Sequence, residues 1–135
     1  MFNNMKKIQE LSKIKILYVE DDYIIQNEVI KFMQKLEIEI VPASNGKIAI
    51  EILKNKKFEI IITDLIMPTL NGLDMIKHIK QKNPKQAFIV VSAYFDTDTI
   101  SELEILNIKE LLTKPFSSPS LLSAILNIHD KFLAK

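Results

Sequence analysis

Five side chains capable of acid, metal or phosphoryl chemistry fall at the ends of apolar runs. Asp21 and Asp22 follow the first run, Asp64 ends another, Ser92 ends the next, and Lys114 follows the last. Three carboxylates brought together repel one another unless a cation joins them. Oxygen donors without Cys, and without a His nearby in sequence, point to a hard ion, Mg²⁺ first and Mn²⁺ second. A carboxylate is also a competent phosphoryl acceptor, and positive charge from a metal and from Lys114 would stabilise the equatorial oxygens during transfer. The Ser92 hydroxyl could donate a hydrogen bond to a phosphoryl oxygen once one is present. Taken singly, each residue has a plainer reading. Asp64 could be a cap, Asp21-Asp22 an acidic pair suited to a helix N-terminus, and Lys114 a solvated loop lysine. Their joint placement is what points to a site.

The elements that must position these residues alternate. Apolar runs at Ile14–Val19, Ile38–Ala43, Phe58–Thr63, Ala87–Ser92 and Glu110–Thr113 read as strands. Between and after them, apolar residues recur at helical spacing: Ile25, Val29 and Leu36; Ile48, Ile52 and Leu53; Leu73, Ile76 and Ile79; Ile100, Leu103 and Leu106. A closing helix spans Pro119–Phe132, with Pro119 suited to its first turn. Strands this apolar are buried on both faces, so the pattern predicts an α/β fold with a five-stranded parallel sheet covered by five helices. Ligands of such sheets gather outside the carboxyl ends of the strands, where the five polar residues fall. Ile25, Val29, Phe32, Ile48, Ile61, Leu73, Ile76 and Val90 are expected in the core.

Composition narrows the function classes. The chain has 135 residues, 47% hydrophobic and 26% charged, the balance of one globular domain. Net charge is +1 and every basic residue is Lys, which argues against a surface that reads nucleic acid. Without Cys there is no disulfide or thiolate chemistry. Residues 1–12 lack the apolar stretch of a signal peptide and are expected to form an extension or an extra helical turn before a domain at 13–135. A cytoplasmic location without membrane association is the expectation. His78 and His129 lack metal-ligand spacing and are not expected to do chemistry.

Four motifs in order resemble the response-regulator receiver family, which includes the single-domain chemotaxis regulator. They are Glu20-Asp21-Asp22; Asp64-Leu65-Ile66-Met67-Pro68 with Gly72; Ser92-Ala93; and Thr113-Lys114-Pro115-Phe116. The resemblance covers residues 14–134 and implies a flavodoxin-like sheet in the order 2-1-3-4-5. It implies that Asp64 takes a phosphoryl group from a phosphohistidine on a sensor kinase or phosphotransfer protein. Asp22 and Asp64 with the Met67 carbonyl would bind Mg²⁺, and Asp21 would ligate mainly through water. Lys114 would hold the phosphoryl group next to a cis Lys114–Pro115 peptide. Ser92 would carry the change to the face formed by the fourth helix, fifth strand and fifth helix, where a downstream partner or a second copy would dock. The chemistry would be self-phosphorylation and autodephosphorylation rather than substrate turnover.

Three departures qualify the resemblance. Leu111 stands where the family commonly has an aromatic rotor, which predicts altered coupling between Asp64 and the output face. Asn107 replaces a turn glycine, a change Asn tolerates because it enters the left-handed region readily. Ile66 and Tyr94 occupy positions that tune dephosphorylation, and neither can orient an attacking water, which predicts slow phosphate loss. Two rivals stay open: a receiver-like binding module that does not cycle phosphate, and a metal-dependent phosphatase. The second is disfavoured because Ile66, not an acid, stands two residues after Asp64.

Overall fold

The computed structural model describes residues 2–67 and 70–133. Five strands, β1 (Lys15–Val19), β2 (Glu39–Ala43), β3 (Ile60–Asp64), β4 (Ala87–Ser92) and β5 (Glu110–Thr113), form one parallel sheet in the order β2-β1-β3-β4-β5. Six α-helices are described: α1 (Phe2–Glu10), α2 (Tyr23–Lys35), α3 (Gly46–Leu53), α4 (Gly72–Lys82), α5 (Thr97–Ile105) and α6 (Ser118–Ile128). The sheet order matches the expectation. The helix count exceeds it by one, because residues 2–10 form a helix of their own. The closing helix is also shorter than expected, giving way to a π-helical turn at His129–Leu133.

Side chains alternate across each strand, and the alternation builds two cores. Ile16 and Tyr18 of β1, Ile60 and Ile62 of β3, and Ile89 and Val91 of β4 face one side. There they meet Leu11, which follows α1, Val29 and Met33 of α2, and Leu121 and Ile125 of α6. Leu17, Val19, Ile61, Phe88 and Val90 face the other, against Ala49 of α3, Met75 and Ile76 of α4, and Leu103 of α5. Of the expected core residues, Ile48 is a correction: it is exposed, while Ala49 beside it is fully buried. Successive helical residues are rotated by about 100°, so a phase error of one position turns a core residue outward. Leu121 and Ile125 of α6 are packed, whereas the Phe132 side chain and Lys135 lie outside the described residues.

Local chemistry closes the helices. α2 and α5 both end in a left-handed residue, Glu37 (φ 58°) and Asn107 (φ 64°). In each case the next amide returns five residues: Ile38 N to Met33 O at 3.0 Å, and Ile108 N to Leu103 O at 2.9 Å. This is the Schellman closure, and Asn107 performs it in place of glycine as its residue type allows. Gly72 matters more for the site. A Cβ there would lie 2.3 Å from Asp64 O and 2.7 Å from Leu65 Cα, so only glycine lets α4 begin against the backbone that follows Asp64. Gly72 N donates to Leu65 O at 2.9 Å and ties the loop down.

Candidate functional site

Strand alternation and register together decide which polar residues meet. Beyond Tyr18, Ile62 and Leu112 the next residues on the same sheet face are Glu20, Asp64 and Lys114. Val19 pairs with Thr63, so Glu20 comes level with Asp64 where β1 ends. Lys114 Nζ bridges the two carboxylates, donating to Asp64 Oδ2 at 2.5 Å and lying 2.8 Å from Glu20 Oε1. Glu20 is 1% and Asp64 7% exposed. Asp64 Oδ1 accepts from Ile66 N at 3.1 Å, and Glu20 Oε2 accepts from Asp22 N at 3.1 Å.

The electrostatics follow from this burial. Burial pushes the Glu20 carboxyl above its ordinary range, which hydrogen bonds from Lys114 and the Asp22 amide only partly offset. Burial opposes charge on Lys114, but hydrogen bonds to Asp64 and Glu20, with their negative charges, outweigh it and hold the ammonium above the usual lysine range. Lys114 therefore stays charged across the pH range of ordinary solution work.

The acidic cluster differs from the expected one. Carboxylate oxygens of Glu20, Asp21 and Asp64 all lie within 4.8 Å of one another. Asp22, expected beside Asp64, instead caps α2: its Oδ1 accepts from Ile24 N at 3.0 Å and Ile25 N at 3.2 Å. Glu20, passed over in the sequence, takes that place. The missed signal was the alternation itself, which puts Glu20 in line with Tyr18 and opposite Asp64, while Asp22 falls at the helix start where Asp is a favoured cap. Met67, the third residue after Asp64, is buried.

Ser92 is 2% exposed and stands on the opposite sheet face, in line with Val90. Its hydroxyl donates to Tyr94 O at 2.9 Å, and its carbonyl accepts from Lys114 N at 2.8 Å. Leu111 pairs with Val90 and packs in the same core, so it shares the Ser92 side of the sheet. The Lys114–Pro115 peptide is cis. Ile66 and Tyr94 are both more than three-quarters exposed and flank the site. His129 is far from it, buried beside Glu10 and Asp130. No helix among the described residues is long and apolar enough to cross a membrane.

The donor set suits a hard divalent ion. It consists only of carboxylate oxygens, it carries like charges that a cation would reconcile, and one member is exposed and open to solvent. Such an arrangement can hold Mg²⁺ and present a carboxylate and an ammonium to an incoming anionic group.

The chain belongs to the response regulator receiver domain family, whose sequence pattern matches residues 16–126. It is 32% identical over 117 residues to a probable transcriptional regulatory protein of Picosynechococcus, covering 80% of this chain and 46% of the relative. It is 30% identical over 112 residues to the chemotaxis protein CheY of Thermotoga maritima, covering 82% and 93%. The response regulator TrrA of Thermotoga maritima, solved in complex with Mg²⁺ and BeF, superposes with a TM-score of 0.74 at 25% identity, over 85% of this chain and 98% of that one. The chain spans about half the length, or less, of the first curated relatives it matches.

Proposed function

We propose that the chain is the phospho-accepting receiver of a two-component relay, with Asp64 as acceptor. The observation that carries this is Lys114 held between Asp64 and Glu20 within an acidic cluster at the carboxyl ends of the strands. An Asp64 carboxylate oxygen forms a bond to phosphorus as the bond from phosphorus to a partner's phosphohistidine nitrogen breaks, and the imidazole leaves with the electron pair. Glu20, Asp21 and Asp64, with the Met67 carbonyl, would hold Mg²⁺, which supplies charge neutralisation for the phosphoryl oxygens.

Lys114 already touches Asp64 Oδ2, so a short swing of its side chain carries it to a phosphoryl oxygen. The Ser92 hydroxyl, now donating to Tyr94 O, would turn to the phosphoryl group and free the segment leading into α5. Leu111, on the same side, would follow by repacking rather than by rotation of an aromatic ring. The face of α5, β5 and α6 is the output surface, for a downstream partner, a fused output domain or a second copy of the chain. With Ile66 and Tyr94 offering no carboxylate or amide beside Asp64, the phosphoryl group is lost slowly.

The test is transfer from a radiolabelled phosphohistidine phosphotransfer domain in Mg²⁺. Label is expected to pass to this chain and not to Asp64→Asn. Equal labelling of both proteins would exclude Asp64 as acceptor.

A further inference from the structure

Tyr18 stands two residues before Glu20 on β1, so both side chains lie on the same sheet face. Its ring is 1% exposed, inside the core shared with α2 and α6, with Ile62 of the neighbouring β3 and, one strand further, Val91 of β4 on the same face. Its Oη is one of two buried side-chain polar atoms without a hydrogen-bond partner among the described residues. An unpaired buried hydroxyl is destabilising, and an aliphatic residue would fill the same layer without that penalty. Besides burial, which pushes the phenol pKa far up, the Glu20 carboxylate acts on the hydroxyl through its charge and as a hydrogen-bonding neighbour short of a full hydrogen bond, and the charges of Asp64 and Asp22 push the same way.

Glu20 becomes fully available to it as an acceptor when the site is loaded. In the present state Glu20 Oε1 is held by Lys114 at 2.8 Å and Oε2 by the Asp22 amide. Glu20 is buried, so its oxygens rely on protein donors rather than water. If Lys114 moves to a phosphoryl oxygen on Asp64, as the function proposed above requires, Oε1 loses the Lys114 donor while remaining out of water. We propose that Tyr18 is a positioning residue whose hydroxyl takes over Glu20 Oε1 in the phosphorylated state, keeping that carboxylate aimed at the ion. Tyr18 acts through Glu20 and does not touch the phosphoryl group.

The consequence is a state-dependent effect of removing one oxygen atom. Tyr18→Phe keeps the ring in its core layer and deletes only the orphan hydroxyl, so the unliganded protein should melt no lower than the parent. Beryllofluoride, an acyl-phosphate mimic, should bind the variant in Mg²⁺ about tenfold more weakly, as expected for a lost hydrogen bond to a charged group. Affinity for Mg²⁺ alone, where Lys114 still holds Glu20, should stay within about twofold. The chain has no Trp and three Tyr, so with Tyr23→Phe and Tyr94→Phe the only phenol is Tyr18. Its tyrosine Raman doublet should move to the donor pattern on adding Mg²⁺ with beryllofluoride, and not with Mg²⁺ alone.

Unchanged beryllofluoride affinity in Tyr18→Phe, or a doublet that does not respond, would overturn the proposal while leaving Asp64 as acceptor. Equal losses for Mg²⁺ alone and for Mg²⁺ with beryllofluoride would mark a merely structural role and overturn it too. A parent protein that binds Mg²⁺ but no beryllofluoride would overturn the acceptor reading, and this proposal with it.

Discussion

Adjacent acids at the end of β1 should separate cleanly in function. Asp22 Oδ1 is occupied by two helix amides, at 3.0 and 3.2 Å, whereas Glu20 and Asp21 share a 4.8 Å cluster with Asp64. Asp22→Ala removes a helix cap, worth about 1 kcal/mol, and should lower the melting temperature by about 2–8 °C. The same change should alter Mg²⁺ affinity by no more than about threefold, because an exposed charge outside the ligand shell is screened. Asp21→Asn and Glu20→Gln each remove a carboxylate from the cluster and should weaken Mg²⁺ by at least about tenfold, the scale already seen for groups that only support ligands. Calorimetric Mg²⁺ titration and thermal melting on the same four proteins provide both readouts. A loss of Mg²⁺ binding in Asp22→Ala with normal binding in Glu20→Gln would refute the geometric reading and restore the pairing expected from sequence.

Other expectations follow from the same contacts. Lys114→Ala leaves Glu20 and Asp64 buried without their cation and should cost about 3 kcal/mol in metal-free urea denaturation, with partial recovery on adding Mg²⁺; a loss under about 1 kcal/mol would show that water already screens the pair. Leu11→Ala, in the fully buried residue that follows α1, should cost about 2–4 kcal/mol by the same method. A near-neutral result would mean the N-terminal helix is not integral to the core. Once formed, the acyl phosphate should persist for minutes or longer in the purified protein, followed by intact mass after donor removal, and a lifetime of seconds would contradict the role given to Ile66 and Tyr94.

Much of this architecture was legible because the strands end where their apolar character ends. Asp64, Ser92 and Lys114 are polar residues terminating or following near-continuous apolar runs, and a parallel sheet gathers such ends on one rim. The choice between Glu20 and Asp22 was not visible in the run Glu20-Asp21-Asp22 read as a unit. It turns on two competing local rules: strand alternation extends one residue past Val19 to claim Glu20, and the start of α2 claims Asp22 as its cap. The phase of α3 is not readable from its sequence because the short helix carries apolar residues on several faces, and only packing against the sheet selects Ala49 over Ile48. Helix α1 was underestimated because few of its side chains are apolar. Its junction is secured by Leu11 in the core and by Lys7 meeting Asp130 at 3.0 Å, a contact spanning nearly the whole chain.

The central claim is tested most directly by incubating the purified chain with Mg²⁺ and acetyl phosphate and reading its intact mass beside that of Asp64→Asn. A gain of one phosphoryl group is expected in the parent, dependent on Mg²⁺ and absent from the mutant. No gain in a folded parent with excess donor, or an equal gain in Asp64→Asn, would contradict it, and the first result would favour a receiver-like module that binds its partners without cycling phosphate.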